Sequence, residues 1–251
     1  MLGGGQPDTT LVRAAAANQT AWLARIAEAA GGTVHRERGV TWMVSRAGAV
    51  LAFPRLSSRR LAVLLPDFLA AAGSAEASCW SLLPTEPEDL DLRLREAGFR
   101  DGWQAHWMAR TIEDVEGDPA APGVSIAVAE GDWSVTKLPW DEAGIASVRT
   151  RLASARPRRV WHVAVWRDDE AVGHATLNVT TGRLGVAGIY DMGVASHERR
   201  RGIGTALTHA VLARARGAGC AVATLNATAD GEHLYRKLGF RSVGFAQTWW
   251  R

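Results

Sequence analysis

A short apolar run followed by a cluster of arginines and two closely spaced glycines restricts this chain more than any other part of it. Arg199-Arg200-Arg201-Gly202-Ile203-Gly204 opens a stretch with helical spacing. Glycines let a backbone approach a phosphate closely, while the turn and the helix N-terminus behind it offer free N–H groups and partial positive charge. The three arginines add formal charge and fork-shaped donors that suit a diphosphate. The segment reads as an anion cradle. A charge run that merely solvates a loop is the alternative, and the adjoining glycines disfavour it.

The remaining composition narrows the partners. With 251 residues, 47% of them apolar, the chain suits one large domain or two of ordinary size. A net charge of +3 without a long basic stripe excludes a typical nucleic-acid binder. Cys79 and Cys220 are isolated, with neither metal-ligand spacing nor a disulfide framework, as in a reducing cytoplasm. The first residues lack a basic start followed by an apolar stretch, and no apolar run is long enough to span a bilayer. A cytoplasmic protein with no membrane partner is expected. His162, His174 and His197 show no metal-ligand spacing and read as structural, although His174 has a strand position from which an acceptor cleft is reachable. No metal is expected.

Periodicity predicts a helix over 11–30 and a hairpin over 40–53. A helix over 61–72 despite Pro66, a strand at 78–83, a helix over 87–97 closed by Gly98 and a strand over 99–110 come next. Residues 113–123, rich in acids, glycine and proline, read as a linker between a domain at 1–112 and another at 124–251. The second half predicts a strand at 124–129, a helix over 141–153, a three-strand meander over 160–195 and a helix over 203–216. A strand at 221–227, a helix over 230–238 capped by Gly239 and a last strand at 240–249 complete it. A faint internal repeat joins the halves: Leu94-Arg95-Glu96-Ala97-Gly98-Phe99-Arg100 lines up with Tyr235-Arg236-Lys237-Leu238-Gly239-Phe240-Arg241. The first copy has no arginine-glycine cradle and carries Leu94 where the second has Tyr235.

Three pieces in order, the strand Ile189-Tyr190-Asp191-Met192-Gly193-Val194, the run matching Arg-x-x-Gly-x-Gly at Arg199, Gly202 and Gly204, and Leu234-Tyr235-Arg236-Lys237-Leu238-Gly239-Phe240, resemble the GNAT superfamily of acetyl-CoA-dependent N-acyltransferases. The resemblance covers roughly the last 130 residues, and the first half resembles a degenerate copy. It implies an α/β protein of two GNAT-like halves, each a mixed, mostly antiparallel sheet flanked by helices. It implies acetyl-CoA as co-substrate, with the amides of Met192, Gly193 and Val194 on the pantetheine arm and thioester carbonyl. Arg199, Arg200, Arg201, Gly202, Ile203, Gly204 and Thr205 would hold the pyrophosphate. Tyr235 would protonate the departing thiolate. The asparagine common in the loop before this tyrosine is missing, with Thr228 at its spacing and Asn226, the remaining candidate for that contact, further upstream. Where relatives often carry a glutamate on the strand, this chain has Gly188.

N-acylation needs a deprotonated amine, an electrophilic carbonyl and a leaving group that can take a proton. Asp191, an acid on the acceptor side in relatives, is the candidate for amine binding or proton removal, with an exposed or structurally bonded carboxylate as its other reading. Tyr235 has a core tyrosine as its other reading. The resemblance therefore implies acetyl transfer to a primary amine of a small molecule, a metabolite or an amine-bearing antibiotic. The first half would shape the acceptor pocket or the interface of a homodimer. Protein N-acetylation and a non-catalytic acyl-CoA sensor or partner-binding module are the alternatives.

Overall fold

The computed structural model describes residues 8–113, 121–129, 145–182 and 184–251. They divide into two compact units, 1–107 with 243–251, and 108–242. In chain order the second unit is thus inserted into the first.

In the first unit, α1 (Thr9–Ala29) begins at Asp8, whose carboxylate accepts the Leu11 amide, and buries Val12, Ala15, Ala16 and Trp22. The strands β1 (Thr33–Glu37), β2 (Val40–Ser45) and β3 (Gly48–Ala52) form an antiparallel meander. After α2 (Ser58–Ala72), β4 (Ala77–Leu82) pairs parallel to β3. Then come α3 (Leu90–Glu96) and β5 (Arg100–Thr111). Most of β1 is exposed, so it carries no apolar alternation and only its register with β2 defines it. Pro66 lies on the exposed side of α2. Leu51, Leu61, Phe68, Leu90, Leu94 and Phe99 form the core.

The second unit contains β6 (Ser125–Ala129), α4 (Ile145–Ser154), β7 (Val160–Arg167), β8 (Glu170–Thr180), β9 (Val186–Val194), a short 3-10 turn at Ser196–Glu198, α5 (Ile203–Gly217), β10 (Val222–Ala227) and α6 (Ala229–Lys237). Its strands run β6-β7-β8-β9-β10, antiparallel except for the parallel pair β9 and β10. The end of β5 lies beyond β10, and the Ile112 amide donates to the Ala221 carbonyl at 3.0 Å. Val163, Leu177, Ile189, Leu207, Val211 and Phe240 lie at the heart of its core. The expected linker falls mostly, and the start of the helix expected over 141–153 falls entirely, outside the described residues.

Both copies of the sequence repeat build the same local device. α3 ends at Gly98 with φ +87°, and the Phe99 amide returns to the Leu94 carbonyl at 2.9 Å. α6 ends at Gly239 with φ +80°, and the Phe240 amide returns to the Tyr235 carbonyl at 3.0 Å. Only glycine adopts this left-handed closure without strain, and it aims the next strand back along the sheet.

The last strand, β11 (Arg241–Trp250), is expected from the sequence to complete the second half, yet residues 243–250 belong to the first unit. There β11 lies between β4 and β5, antiparallel to β4 from Ala246↔Leu82 to Trp250↔Ser78. Buried Trp249 donates from Nε1 to Ser81 Oγ at 3.1 Å, and Thr248 Oγ1 donates to the Trp103 carbonyl at 2.8 Å. Strand pairing is long-range, so proximity along the chain carries none of this. Truncating a buried indole removes its packing and leaves a cavity. Trp249→Ala should lower unfolding free energy by about 3–5 kcal/mol, read from urea titrations, whereas exposed Val63→Ala should shift it by less than about 0.5 kcal/mol.

Candidate functional site

The site begins where β9 leaves β10. Their parallel register stops at Ile189↔Leu225, while β9 resumes pairing with β8 at Gly193 and Val194. Between these points the β8–β9 register slips by one residue, and Asp191 adopts φ +49°. A bulge with a left-handed residue bends the strand and re-aims the residues after it. Met192, Gly193 and Val194 consequently line a cavity of about 780 Å³ instead of continuing along β10.

The second wall is the start of α5. Arg200 at φ +62° and Gly202 at φ +82° wind the chain into the helix. Gly202 is the N-cap, so no side chain accepts the first-turn amides, whereas Thr228 caps α6 by accepting the Gly231 amide. Arg199, Arg200, Gly202, Ile203, Gly204 and Thr205 line the same cavity. This wall is held in place by Arg199 Nε donating to the Val194 carbonyl at 3.3 Å and by Thr208 Oγ1 donating to the Gly204 carbonyl at 2.8 Å. A helix N-terminus with free amides and two nearby guanidinium groups is suited to a diphosphate.

The third wall is α6. Tyr235 is buried, packs edge-on against Phe240 at 5.7 Å and donates its hydroxyl to Met192 Sδ at 3.2 Å. A thioether is a weak acceptor, so the phenol is not committed to a strong partner. Burial pushes its pKa up to about 12, which keeps it protonated at neutral pH. Gly231 makes room for the ring: a Cβ there would stand 2.9 Å from Tyr235 Cε2. Thr228, Asp230 and Leu234 complete this side.

Arg201, Asn226 and Asp191 are not among the cavity's lining residues. The Arg201 guanidinium turns to Glu198, with Nη1 3.3 Å from Oε1. Half-buried Asn226 belongs to β10. Asp191 is exposed on the bulge, and its carbonyl accepts a hydrogen bond from His174 Nδ1 at 3.3 Å. Because a carbonyl only accepts, His174 carries its proton on Nδ1. The ring stacks on His162 at 5.5 Å, and both imidazoles are fully buried. Neither histidine opens onto the cavity. Burial, followed by the Arg149 charge, holds His162 down to about pKa 4. Burial, His162 and Arg149 lower His174 as well.

Sequence reasoning missed Glu198 and Arg167. Buried Glu198 lines the cavity and pairs with Arg167, which comes from the end of β7. An acid beside three arginines was the available signal for Glu198, and Arg167 had none. Among the described residues no group of three or more His, Cys, Asp or Glu side chains is placed to hold a metal. No described helix is long and apolar enough to cross a membrane.

Residues 126–240 match the model of the acetyltransferase (GNAT) family. No curated protein matches the chain. A GCN5-related N-acetyltransferase from Kribbella flavida is similar in structure over 94% of this chain and 95% of its own, at 18% identity and a TM-score of 0.65. A tandem GNAT protein from the clavulanic acid biosynthesis pathway aligns over 84% of this chain and 78% of its own, at 16% identity and a TM-score of 0.61. A GCN5-related N-acetyltransferase from Sphaerobacter thermophilus aligns over 95% and 92%, at 15% identity and a TM-score of 0.51. At these identities the likeness establishes a shared fold.

The buried histidines give a pH signature. Folded His162 binds its proton only near pH 4, whereas an unfolded histidine binds it near 6.5, so the unfolded state takes up more protons between these values. Stability is complete above pH 6.5 and falls toward pH 4, by on the order of 3 kcal/mol for this group. Urea unfolding monitored from pH 7.5 to 4.5 should show that decline, and His162→Gln should reduce it, leaving the share due to His174.

Proposed function

Because residues 126–240 match the acetyltransferase (GNAT) family model, we propose that this chain is an acyltransferase that moves the acetyl group of acetyl-CoA to a primary amine of a small molecule. One observation carries the reading: the start of α5 with Arg199 and Arg200, the Met192–Val194 segment and Tyr235 line one cavity.

In this reading the first-turn amides of α5, with Arg199 and Arg200, bind the pyrophosphate. The Met192–Val194 backbone orients the pantetheine arm and polarises the thioester carbonyl. Holding amine and thioester in attack geometry supplies much of the rate. As the amine nitrogen bonds to the carbonyl carbon and the carbon–sulfur bond breaks, Tyr235 Oη gives its proton to the thiolate. The attacking nitrogen releases its own proton to solvent or to Asp191. Met192 Sδ, already accepting from the tyrosine, marks the region where a second sulfur would take that bond. Asp191, exposed and one residue before the lining residue Met192, is the carboxylate proposed to meet a cationic amine.

The first unit is proposed to bind no acyl-CoA. The corresponding helix starts are those of α2 and α3, where Ser57 already caps α2 and Ser58 Oγ donates to Asp89 Oδ1 at 2.6 Å. Hydrogen bonding from Ser58, then pairing with Arg93, lowers the Asp89 pKa and keeps a negative charge at that position. Ser57 already takes up a first-turn amide that an anion would need at α2.

Three measurements test the function. Calorimetry with coenzyme A should give one site per chain. Thiol release from acetyl-CoA with a panel of small amines should identify an acceptor. Tyr235→Phe should lower kcat about 10²-fold with little change in KM for acetyl-CoA. Coenzyme A binding without turnover on any amine would favour a sensor, and turnover confined to peptides would favour protein acetylation.

A further inference from the structure

Glu198 places a carboxylate inside an anion cradle. It immediately precedes Arg199-Arg200-Arg201 and lines the cavity beside Arg199 and the Gly202 turn, with only 5% of its side chain exposed. A buried negative charge there repels a bound diphosphate and carries a large desolvation cost unless a fixed cation meets it. Arg167 provides that cation: Nη2 donates to Oε2 at 3.0 Å, and Nε is in ion-pair contact with Oε1 at 3.0 Å without hydrogen-bond geometry. Its remaining prong, Nη1, donates to the Gly123 carbonyl at 3.1 Å, so the guanidinium is fixed from both sides. Arg201 also reaches Oε1, at 3.3 Å, but its side chain is 57% exposed and makes the weaker contact.

The pair also explains the shape of the turn. The Glu198 amide donates to the Ala195 carbonyl at 2.9 Å, and the carboxylate then ties the turn at Ser196–Glu198 to the end of β7. From this turn the chain proceeds through left-handed Arg200 into α5. Without the tie, the first-turn amides lose their aim, and the carboxylate is left as an uncompensated charge.

We propose that Arg167 is a positioning residue for acyl-CoA binding: it neutralises Glu198 and fixes the turn, so that the cradle presents net positive potential to the diphosphate. This rests on the coenzyme A reading above. Arg167 itself is not among the lining residues of the cavity and acts through Glu198.

The test is a double-mutant cycle on the full chain, with coenzyme A as titrant and acetyl-CoA kinetics alongside. Arg167→Ala should raise the Kd for coenzyme A on the order of 10²-fold, and raise KM for acetyl-CoA while kcat at saturation is largely kept. Adding Glu198→Gln to that variant should recover the part of the loss that the uncompensated charge causes, while the part due to the lost tie remains. Glu198→Gln alone should bind coenzyme A several-fold more tightly than the parent, and it carries the test if Arg167→Ala does not fold. Arg167→Ala binding as tightly as the parent would overturn the proposal. So would a double variant no better than Arg167→Ala, or unchanged or weaker binding by Glu198→Gln. A parent chain that binds no coenzyme A refutes the functional reading instead, which separates the two failures.

Discussion

The cavity exists because β9 stops pairing with β10 after Ile189↔Leu225 while it remains attached to β8. A parallel pair that ran its full length would close the space with interstrand hydrogen bonds. The bulge at Asp191 prevents this, since one extra residue puts β9 out of phase and turns its end away. The remaining features accept this gap as given: α5 starts at its floor, α6 brings Tyr235 to its side, and Arg199 binds the end of β9. A part-buried hydrogen bond from His174 to the Asp191 carbonyl supports the bulge.

The two units build one local plan with different helix starts. Each has an antiparallel meander, a helix, a parallel strand, a second helix, and a glycine closure that launches the next strand. The differences lie in what satisfies the helix starts. In the second unit a glycine caps α5 and leaves donors available. In the first unit Ser57 and Ser58 occupy the equivalent turn, and Asp89 bonds to it. One serine side chain suffices to take up a first-turn amide that a glycine cap leaves available.

Much of this was legible from residue order. The Gly202–Gly204 spacing, the apolar end of β9 and Tyr235 four residues before Gly239 all depend on local conformation, which sequence encodes directly. The helices α1, α2 and α5 emerged from their periodicity, and both glycine closures from the repeat. Three things were hidden. β1 is exposed and has no alternation, so only its partner defines it. Arg167 meets Glu198 across 31 positions, and nothing near either residue announces the other. The place of β11 between β4 and β5 depends on a register with strands more than 140 residues earlier. Side-chain direction was equally out of reach: Arg201 reads like its neighbours in sequence but turns to Glu198.

The membership of β11 in the first unit also bears on biosynthesis. A ribosome delivers β4 and β5 well before the strand that belongs between them, because the whole sheet of the second unit is translated in the interval. Nascent domains ordinarily fold in the order in which they emerge. Here the slot between β4 and β5 stays unfilled until the inserted unit has been made, and the inserted unit is the one free to settle first.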